Sequence, residues 1–182
     1  MTDFETYILD LCSRKESCDI EFKSAKGGFP QSFWESYSAF GNTDGGIIVL
    51  GVKEKNHQFF PDGLDEKTVA DYKKAFWDLS HNKNKVSVSL LSESDVFDGV
   101  IDGKSIIVFS IPRAPYSSRP VYLTLNPFGG NTYKRNHEGD YQCSDEEVRQ
   151  MFIDAQIETS PYDGHVIDYF SIEDNLSANT VS

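Results

Sequence analysis

The apolar and polar positions of the chain are arranged around one central stretch, Ser38–Val52, with the sequence SAFGNTDGGIIVLGV. Its run Ile47–Leu50 is continuously apolar, which is typical of a strand buried on both faces. Gly45 and Gly46 precede that run and permit a positive φ and a close approach of backbones. The stretch therefore predicts a helix end, a tight polar turn and a central strand. It lacks the Gly-Lys-Ser/Thr of a Walker A loop, so we do not predict a nucleotide cradle there.

Apolar residues with helical spacing predict helices elsewhere in the chain. In residues 3–13 they recur at i, i+3, i+4 and i+7. A second apolar stripe occupies Phe33–Phe40, directly before the central turn. A third helix is expected after Asp65, whose carboxylate is a typical N-cap. The last follows Ser144 and Glu147, which have the spacing of a capping box.

Alternating patterns and turn residues predict the strands. Asp102-Gly103 between two apolar runs, Val96–Ile101 and Lys104–Ile111, is a strong hairpin signal. The other segments predicted to contain a strand are Cys18–Lys23, Lys53–Gly63 (a turn and a short strand), Val86–Leu91 and Val121–Leu125.

Helices and strands intermingle along the chain, with hairpins as well as crossovers. This order predicts an α+β fold in which helices flank a mixed β-sheet. We expect a single domain over residues 1–157. Residues 158–182 show no clear periodicity, and we interpret them as an acidic tail or a linker to a further domain in a longer chain.

The charge of the chain limits the partners it can hold. The net charge of the 182 residues is −12, and residues 1–154 still contain 24 acidic against 17 basic side chains. This excess of acid argues against a broad electrostatic attraction to nucleic acid, and any contact needs a local basic patch. The three cysteines are too few and too scattered for a disulfide framework or a zinc site. No apolar run approaches the ~20 residues that span a bilayer, so we expect a soluble, cytoplasmic protein without membrane association.

Several short motifs occur in an order that resembles one family. They are Glu16-Ser17, Ile20-Glu21-Phe22-Lys23, Ala39-Phe40-Gly41-Asn42-Thr43-x-Gly45-Gly46, Gly51-Val52, Pro120-Val121-Tyr122 and Tyr133-Lys134-Arg135. Over about residues 10–156 this set resembles the Schlafen-type AlbA domain, described as a DNA-binding domain of bacterial transcriptional regulators. The resemblance implies an α+β domain that associates with DNA or RNA. It is compatible with a homodimer and with a C-terminal ATPase-like or winged-helix domain in a longer chain.

The resemblance also points to residues that would contact nucleic acid. Lys23 and Arg135 would bind phosphates, Lys134 lies beside Arg135, and Asn42 belongs to the turn that would shape the site. Lys26, Arg113 and Arg119 are further candidates for one phosphate-binding groove, with Tyr122 and Tyr133 available to stack on bases. The alternative is that these are ordinary surface charges.

A second function is implied by animal Schlafen proteins, which cleave RNA through three carboxylates. The matching positions here are Glu16, Glu21 and Glu54, although the third acid of those nucleases is usually Asp. Three converging carboxylates would hold Mg²⁺ or Mn²⁺, so a metal-dependent endoribonuclease is the alternative hypothesis. Otherwise these are solvated acids, with Glu21 paired to Lys23 or Arg135. No other cofactor is predicted, a role in assembly is a third hypothesis, and whether the chain is an enzyme stays open.

Overall fold

The computed structural model describes residues 2–14, 18–56, 58–137 and 139–159. In these ranges the helices are α1 Asp3–Arg14, α2 Phe33–Asn42, α3 Glu66–Ser80 and α4 Asp145–Thr159. The strands are β1 Ile20–Lys23, β2 Gly46–Leu50, β3 Val52–Lys55, β4 Gln58–Pro61, β5 Val96–Ile101, β6 Lys104–Ile111, β7 Tyr133–Asn136 and β8 Gly139–Gln142. This order confirms the predicted α+β fold. The predicted tail lies, from residue 160 onward, outside the described residues.

Four of the strands form one mixed sheet in the order β1-β2-β6-β5. The first pair, β1 and β2, is parallel, with Ile20 opposite Ile47. The other two pairs are antiparallel, and β5 and β6 form the hairpin predicted at Asp102-Gly103. Both turn residues have positive φ, 49° and 71°, as a tight two-residue hairpin requires.

The central strand β2 divides the core into two halves. Ile48 and Leu50 point to one face, where they join the aromatic side chains of α2 and α3. Val49 points to the other face and packs in the cluster that contains Ile8 and Leu11 of α1. Both faces of this strand are therefore covered, as the continuous apolar run Ile47–Leu50 predicted.

The two glycines before β2 serve different needs. Gly45 has φ +80°, and a Cβ there would lie 2.7 Å from the Ile111 carbonyl oxygen. Gly46 has no positive φ, but a Cβ on it would lie 2.4 Å from the Phe40 ring. Positive φ and close approach are thus both used in this turn.

The helix caps confirm the sequence signals. Asp65 accepts a hydrogen bond from the Thr68 N–H at 2.7 Å at the start of α3. At the start of α4, Glu147 accepts from the Ser144 N–H at 2.9 Å, and Ser144 Oγ accepts from the Glu147 N–H at 3.2 Å. Each cap satisfies backbone donors that the first helical turn leaves without intrahelical partners.

The prediction of a strand at Val86–Leu91 is wrong. The segment forms only an isolated bridge, to Leu123. The Tyr37 hydroxyl donates to the Val88 carbonyl at 3.2 Å and accepts from the Leu90 N–H at 2.6 Å. Because a side chain of α2 satisfies these backbone groups, the segment needs no neighbouring strand there.

Two further strand predictions need correction. Val121–Leu125 makes isolated bridges only, since the Asn42 side chain binds the peptide groups at Val121. Lys53–Gly63 is a hairpin of two strands, β3 and β4, instead of a turn and a single short strand. The chain reverses at Asn56, which has φ 54°, and no glycine marks the reversal.

Candidate nucleic-acid interface

The polar turn after α2 is anchored by two buried side chains. Asn42 is 5% exposed, and its Nδ2 donates to the carbonyls of Val121 at 2.8 Å and Tyr133 at 3.0 Å. Its Oδ1 accepts from the Val121 N–H at 2.8 Å. Ser38, one helical turn earlier, donates to the Val121 carbonyl and accepts from the Tyr133 N–H. Asn42 therefore positions a loop and β7 from inside the fold, and its predicted contact with nucleic acid stays a prediction.

The same turn lies between two basic segments. On one side, Thr43 Oγ1 accepts a hydrogen bond from the backbone N–H of Arg135 at 3.3 Å. On the other side, the Asp44 carboxylate lies 3.5 Å from Nη1 of Arg113. The turn thus brings the β7 hairpin and the loop after β6 to one region of the surface.

Arg135 is the centre of a buried charge network. Its side chain is 2% exposed, and Nη1 lies 3.0 Å from Glu21 Oε2 and 2.8 Å from Asp140 Oδ1. Glu21 Oε1 accepts from Lys23 at 2.9 Å, and Asp140 accepts from Ser36 at 2.6 Å. Burial lowers the pKa of the Arg135 guanidinium, but Asp140 and Glu21 outweigh burial and the pKa is raised. Lys23 and Arg135 therefore lie close together, and both are ion-paired with the Glu21 carboxylate.

The three carboxylates of the nuclease hypothesis have different surroundings. Glu16 lies outside the described residues. Both oxygens of Glu21 are ion-paired, as the alternative interpretation of this residue had it, while Glu54 is exposed on β3. Within the described ranges no group of three His, Cys, Asp or Glu side chains could hold a metal ion. The nuclease hypothesis stays a prediction, because one of its three residues is not described.

Two arginines flank an exposed tyrosine in the loop after β6. The guanidinium carbon of Arg119 lies 3.7 Å from the centroid of the Tyr116 ring, and that of Arg113 lies 5.6 Å from it. Arg113 also donates to the Tyr116 hydroxyl at 3.3 Å. In the part of the chain that the structure describes, Arg119 has no carboxylate partner and its buried Nε has no hydrogen bond. Tyr116 therefore contacts two cations at the surface. This tyrosine was not among the predicted site residues, although the Arg-x-x-Tyr-x-x-Arg spacing in a predicted loop could have revealed it.

Lys134 has a different environment from its neighbour Arg135. Its side chain is partly exposed, and its Nζ lies 3.5 Å from Glu147 of α4. It lines a cavity of about 290 Å³ together with Tyr141 and Gln142. Because side chains alternate along a strand, Lys134 reaches this surface while Arg135 points into the fold.

A second basic cluster was missed by sequence reasoning. The Asp62 carboxylate is buried, and its Oδ1 lies 2.5 Å from Lys53 Nζ and 3.2 Å from Lys26 Nζ. Ser24 donates to Oδ2 of the same carboxylate at 2.8 Å. Lys104 donates to the carbonyl of the preceding residue, Pro61, at 3.0 Å. The lysines come from three separate segments, so no local spacing could have revealed the cluster.

With this geometry established, comparison with known proteins identifies the family. A family model described as Schlafen, AlbA_2 matches residues 16–144, which is well over half of the chain. The chain belongs to the Schlafen AlbA_2 family. The resemblance inferred from the motifs is thereby confirmed. Comparison with curated protein sequences gives no match.

Two solved structures are similar to this AlbA_2 domain. The first is the N-terminal domain of a RecG-related protein from Nitrosomonas europaea, with TM-score 0.56 and 24% identity. The match covers 79% of this chain and 94% of that one, and at this identity it shows the fold alone. The second is the DIP2311 protein from Corynebacterium diphtheriae, with TM-score 0.47 and 14% identity. That match covers 78% of this chain and 24% of the other.

Within the described ranges, none of the helices of the AlbA_2 domain is long and apolar enough to cross a membrane.

Acid titration should report on the Asp62 cluster. The hydrogen bond from Lys53 outweighs burial and, with Ser24 and Lys26, lowers the pKa of Asp62 from 3.8 to about 2. A carboxyl group whose pKa is lower in the folded state stabilises the fold above its unfolded pKa. That stability is lost as the pH falls from about 4 towards 2. We expect Asp62→Asn to lower the free energy of unfolding by about 1–2 kcal/mol near neutral pH, because half-exposed lysines weaken the interaction.

The measurement is urea denaturation of both proteins over a pH series. The difference between them should shrink below about pH 4 and vanish near pH 2. A difference of the same size at every pH would show that the Asp62 charge is not involved.

Proposed function

We propose that this domain binds nucleic acid and serves as the DNA-contacting module of a transcriptional regulator. Membership of the Schlafen AlbA_2 family supports nucleic-acid association. The observation that carries the proposal is the pair of guanidinium groups, Arg113 and Arg119, held at the exposed Tyr116. Guanidinium groups present several N–H donors in a plane and bind phosphate oxygens in pairs, which suits them to a nucleic-acid backbone.

The net charge defines the kind of binding expected. A chain of net charge −12 repels a polyanion at long range, so binding depends on a few local contacts. Two arginines and the partly exposed Lys134 supply those contacts in this proposal. The salt dependence should therefore be shallow compared with that of strongly basic DNA-binding proteins, because few counterions are released.

The remaining predicted residues have supporting roles in this proposal. Arg135 and Asn42 hold β7 and the loop after β6 against the polar turn. Lys23 neutralises Glu21 beside Arg135. We assign phosphate contact to the exposed side chains and positioning to the buried ones, since a buried, ion-paired group has little surface to offer a phosphate.

Arg119→Gln and Arg113→Gln should each weaken the binding of a DNA duplex by about tenfold and lower the log–log salt slope by about 0.9, because each removes one phosphate contact. The measurement is fluorescence anisotropy with labelled duplex and single-stranded DNA and RNA over a NaCl series. Arg113 is exposed and Arg119 is half-buried, and neither belongs to the core, so circular dichroism of the variants should be unchanged.

Arg149→Gln is the matched control. Like Arg113, Arg149 lies over an aromatic ring, that of Phe128, and is paired with an acid, Glu146, but it is not one of the two cations at Tyr116. This variant should bind as the unaltered chain does. Unchanged binding by both Arg113→Gln and Arg119→Gln would contradict the proposal. Cleavage that needs Mn²⁺, stops with EDTA and is lost in Glu21→Gln would instead favour the ribonuclease alternative.

A further inference from the structure

The lysine cluster around Asp62 lies at one end of the main sheet. The strands β1 and β2 are parallel and end there, where the Gly51 N–H donates to the Lys23 carbonyl at 2.8 Å. The Asp62 N–H donates to the Gly51 carbonyl at 2.7 Å, which places Asp62 directly beyond the end of β2. Lys104 begins β6, the antiparallel neighbour of β2, and so lies at the same end. The carboxyl ends of parallel strands commonly form the crevices in which α/β proteins bind ligands.

The cluster has more positive than negative charge. Lys26 and Lys53 place two ammonium groups against the buried Asp62 carboxylate, and Lys104 places a third against the carbonyl of the preceding residue, Pro61. The contacting groups therefore sum to two positive charges, in a chain whose overall charge is strongly negative. Each ammonium has three donors, and the side chains of Lys26 and Lys53 are 58% and 46% exposed. Donors remain for an anion from solvent.

The loop beside the lysines is fixed in an unusual conformation and leaves open space. Ala25 has φ 58°, which is rare for a residue with a Cβ, and its carbonyl accepts a hydrogen bond from the Tyr72 hydroxyl at 2.6 Å. At Gly27 and Gly28 no atom lies within 4 Å of the place a Cβ would occupy. A ligand can approach the Lys26 backbone closely there. Backbone conformations that are rare and are held by a specific contact occur preferentially at ligand sites.

We infer that Lys26, Lys53 and Lys104 form a site for a phosphomonoester, the terminal phosphate of a nucleic-acid strand or of a free nucleotide. An internal phosphodiester carries one negative charge, whereas a phosphomonoester carries about −1.5 to −2 at neutral pH. The two surplus positive charges match the monoester. Ammonium groups suit this ligand because they act as point charges on flexible stems and can close on three oxygens. The site does not depend on the arginines at Tyr116, so the two proposals fail separately.

The test compares two oligonucleotides of identical sequence, one with a 5′-phosphate and one with a 5′-hydroxyl, in anisotropy measurements on the full chain. The phosphorylated strand should bind at least about fivefold tighter, because only it carries a terminal phosphomonoester. Lys53→Gln should abolish this preference. Lys74→Gln is the control, since Lys74 is also exposed and ion-paired with an acid, Asp78, but lies on α3. It should retain the preference.

Competition distinguishes the two sources of the phosphate. A nucleoside 5′-monophosphate that displaces the phosphorylated strand at similar concentrations indicates a nucleotide site, and a much weaker competitor indicates a strand-end site. The preference should also grow as the pH rises through about 6, where the monoester takes its second charge. Equal binding of the two oligonucleotides, or a preference that survives in Lys53→Gln, would overturn the inference. If Arg119→Gln weakened the binding of both oligonucleotides but kept the preference for the 5′-phosphate, the result would support the lysine site.

Discussion

Arg135→Met should lower the free energy of unfolding by about 3 kcal/mol, because it leaves the partly buried Asp140 carboxylate without a cation and Glu21 with Lys23 alone. Methionine matches the unbranched arginine side chain as far as Nε and is apolar, so it fills part of the space beside the Phe40 ring, whose centroid lies 5.1 Å from the guanidinium carbon. It removes the ion pairs to Glu21 and Asp140, at 3.0 and 2.8 Å, and the hydrogen bond to the Ile20 carbonyl. Urea denaturation followed by tryptophan fluorescence measures the loss.

Two variants complete the Arg135 experiment. Adding Asp140→Asn to Arg135→Met should recover part of the stability, since the second change removes the carboxylate that the first leaves without a cation. Arg149→Met breaks an exposed ion pair with Glu146 and should change stability by no more than about 1 kcal/mol. A loss of similar size in Arg135→Met would mean that the guanidinium is not held between the carboxylates. Direct phosphate contact would then become the better role for Arg135.

Asn42→Ala should destabilise the fold by about 2–4 kcal/mol, because it leaves buried backbone groups without partners. The Val121 N–H and the Tyr133 carbonyl lose their Asn42 hydrogen bonds, and the Val121 carbonyl keeps only Ser38. The variant should also weaken nucleic-acid binding, since strand β7 and the loop that follows β6 lose the side chain that joins them. Chemical denaturation gives the first quantity and the anisotropy titration the second.

The Asn42 result can be separated from a direct contact with nucleic acid. Asn42→Asp has nearly the same shape, but a carboxylate cannot donate to the Val121 and Tyr133 carbonyls. It should be at least as unstable as Asn42→Ala. If either variant kept full stability and still lost binding, Asn42 would be a contact residue, as the family resemblance first suggested. Thr43→Val, in the same turn, removes a hydroxyl that accepts from the Arg135 N–H and donates to the Ala39 carbonyl, and it should have the smaller effect because it breaks fewer hydrogen bonds than Asn42→Ala.

The elements that were predicted well are those whose signals are local. The α1 and α2 stripes, the Asp65 cap and the Asp102-Gly103 hairpin each depend on residues within a few positions of one another. The strand prediction for Val86–Leu91 was wrong although the segment does alternate. The hydroxyl of a tyrosine on α2 takes the hydrogen bonds that a neighbouring strand would otherwise make. No local periodicity can reveal such a partner, since Tyr37 lies 51 residues before Val88 in the sequence.

The candidate site shows the same division. The alternative interpretation had Glu21 paired to Lys23 or Arg135, and in the structure it is paired to both. Their roles could not be assigned from the motifs, because an arginine on an exposed strand and one buried between carboxylates look alike in a sequence. Tyr116 was within reach, since Arg113 and Arg119 lie three residues to either side of it. The lysines around Asp62 were not, because three distant segments meet there.

The sequence by itself determined the family, the α+β class, the buried central strand and the tight glycine turn before it. These follow from motif order, hydrophobic periodicity and the conformations open to glycine, all of which act over short stretches of chain. Only the tertiary structure decided which charges are buried and which face solvent. Arg135 and Lys134 are neighbours in sequence, but one lies between two carboxylates and the other at the surface. The energy of a charge depends on its desolvation and on partners brought close by folding, and neither is a local property.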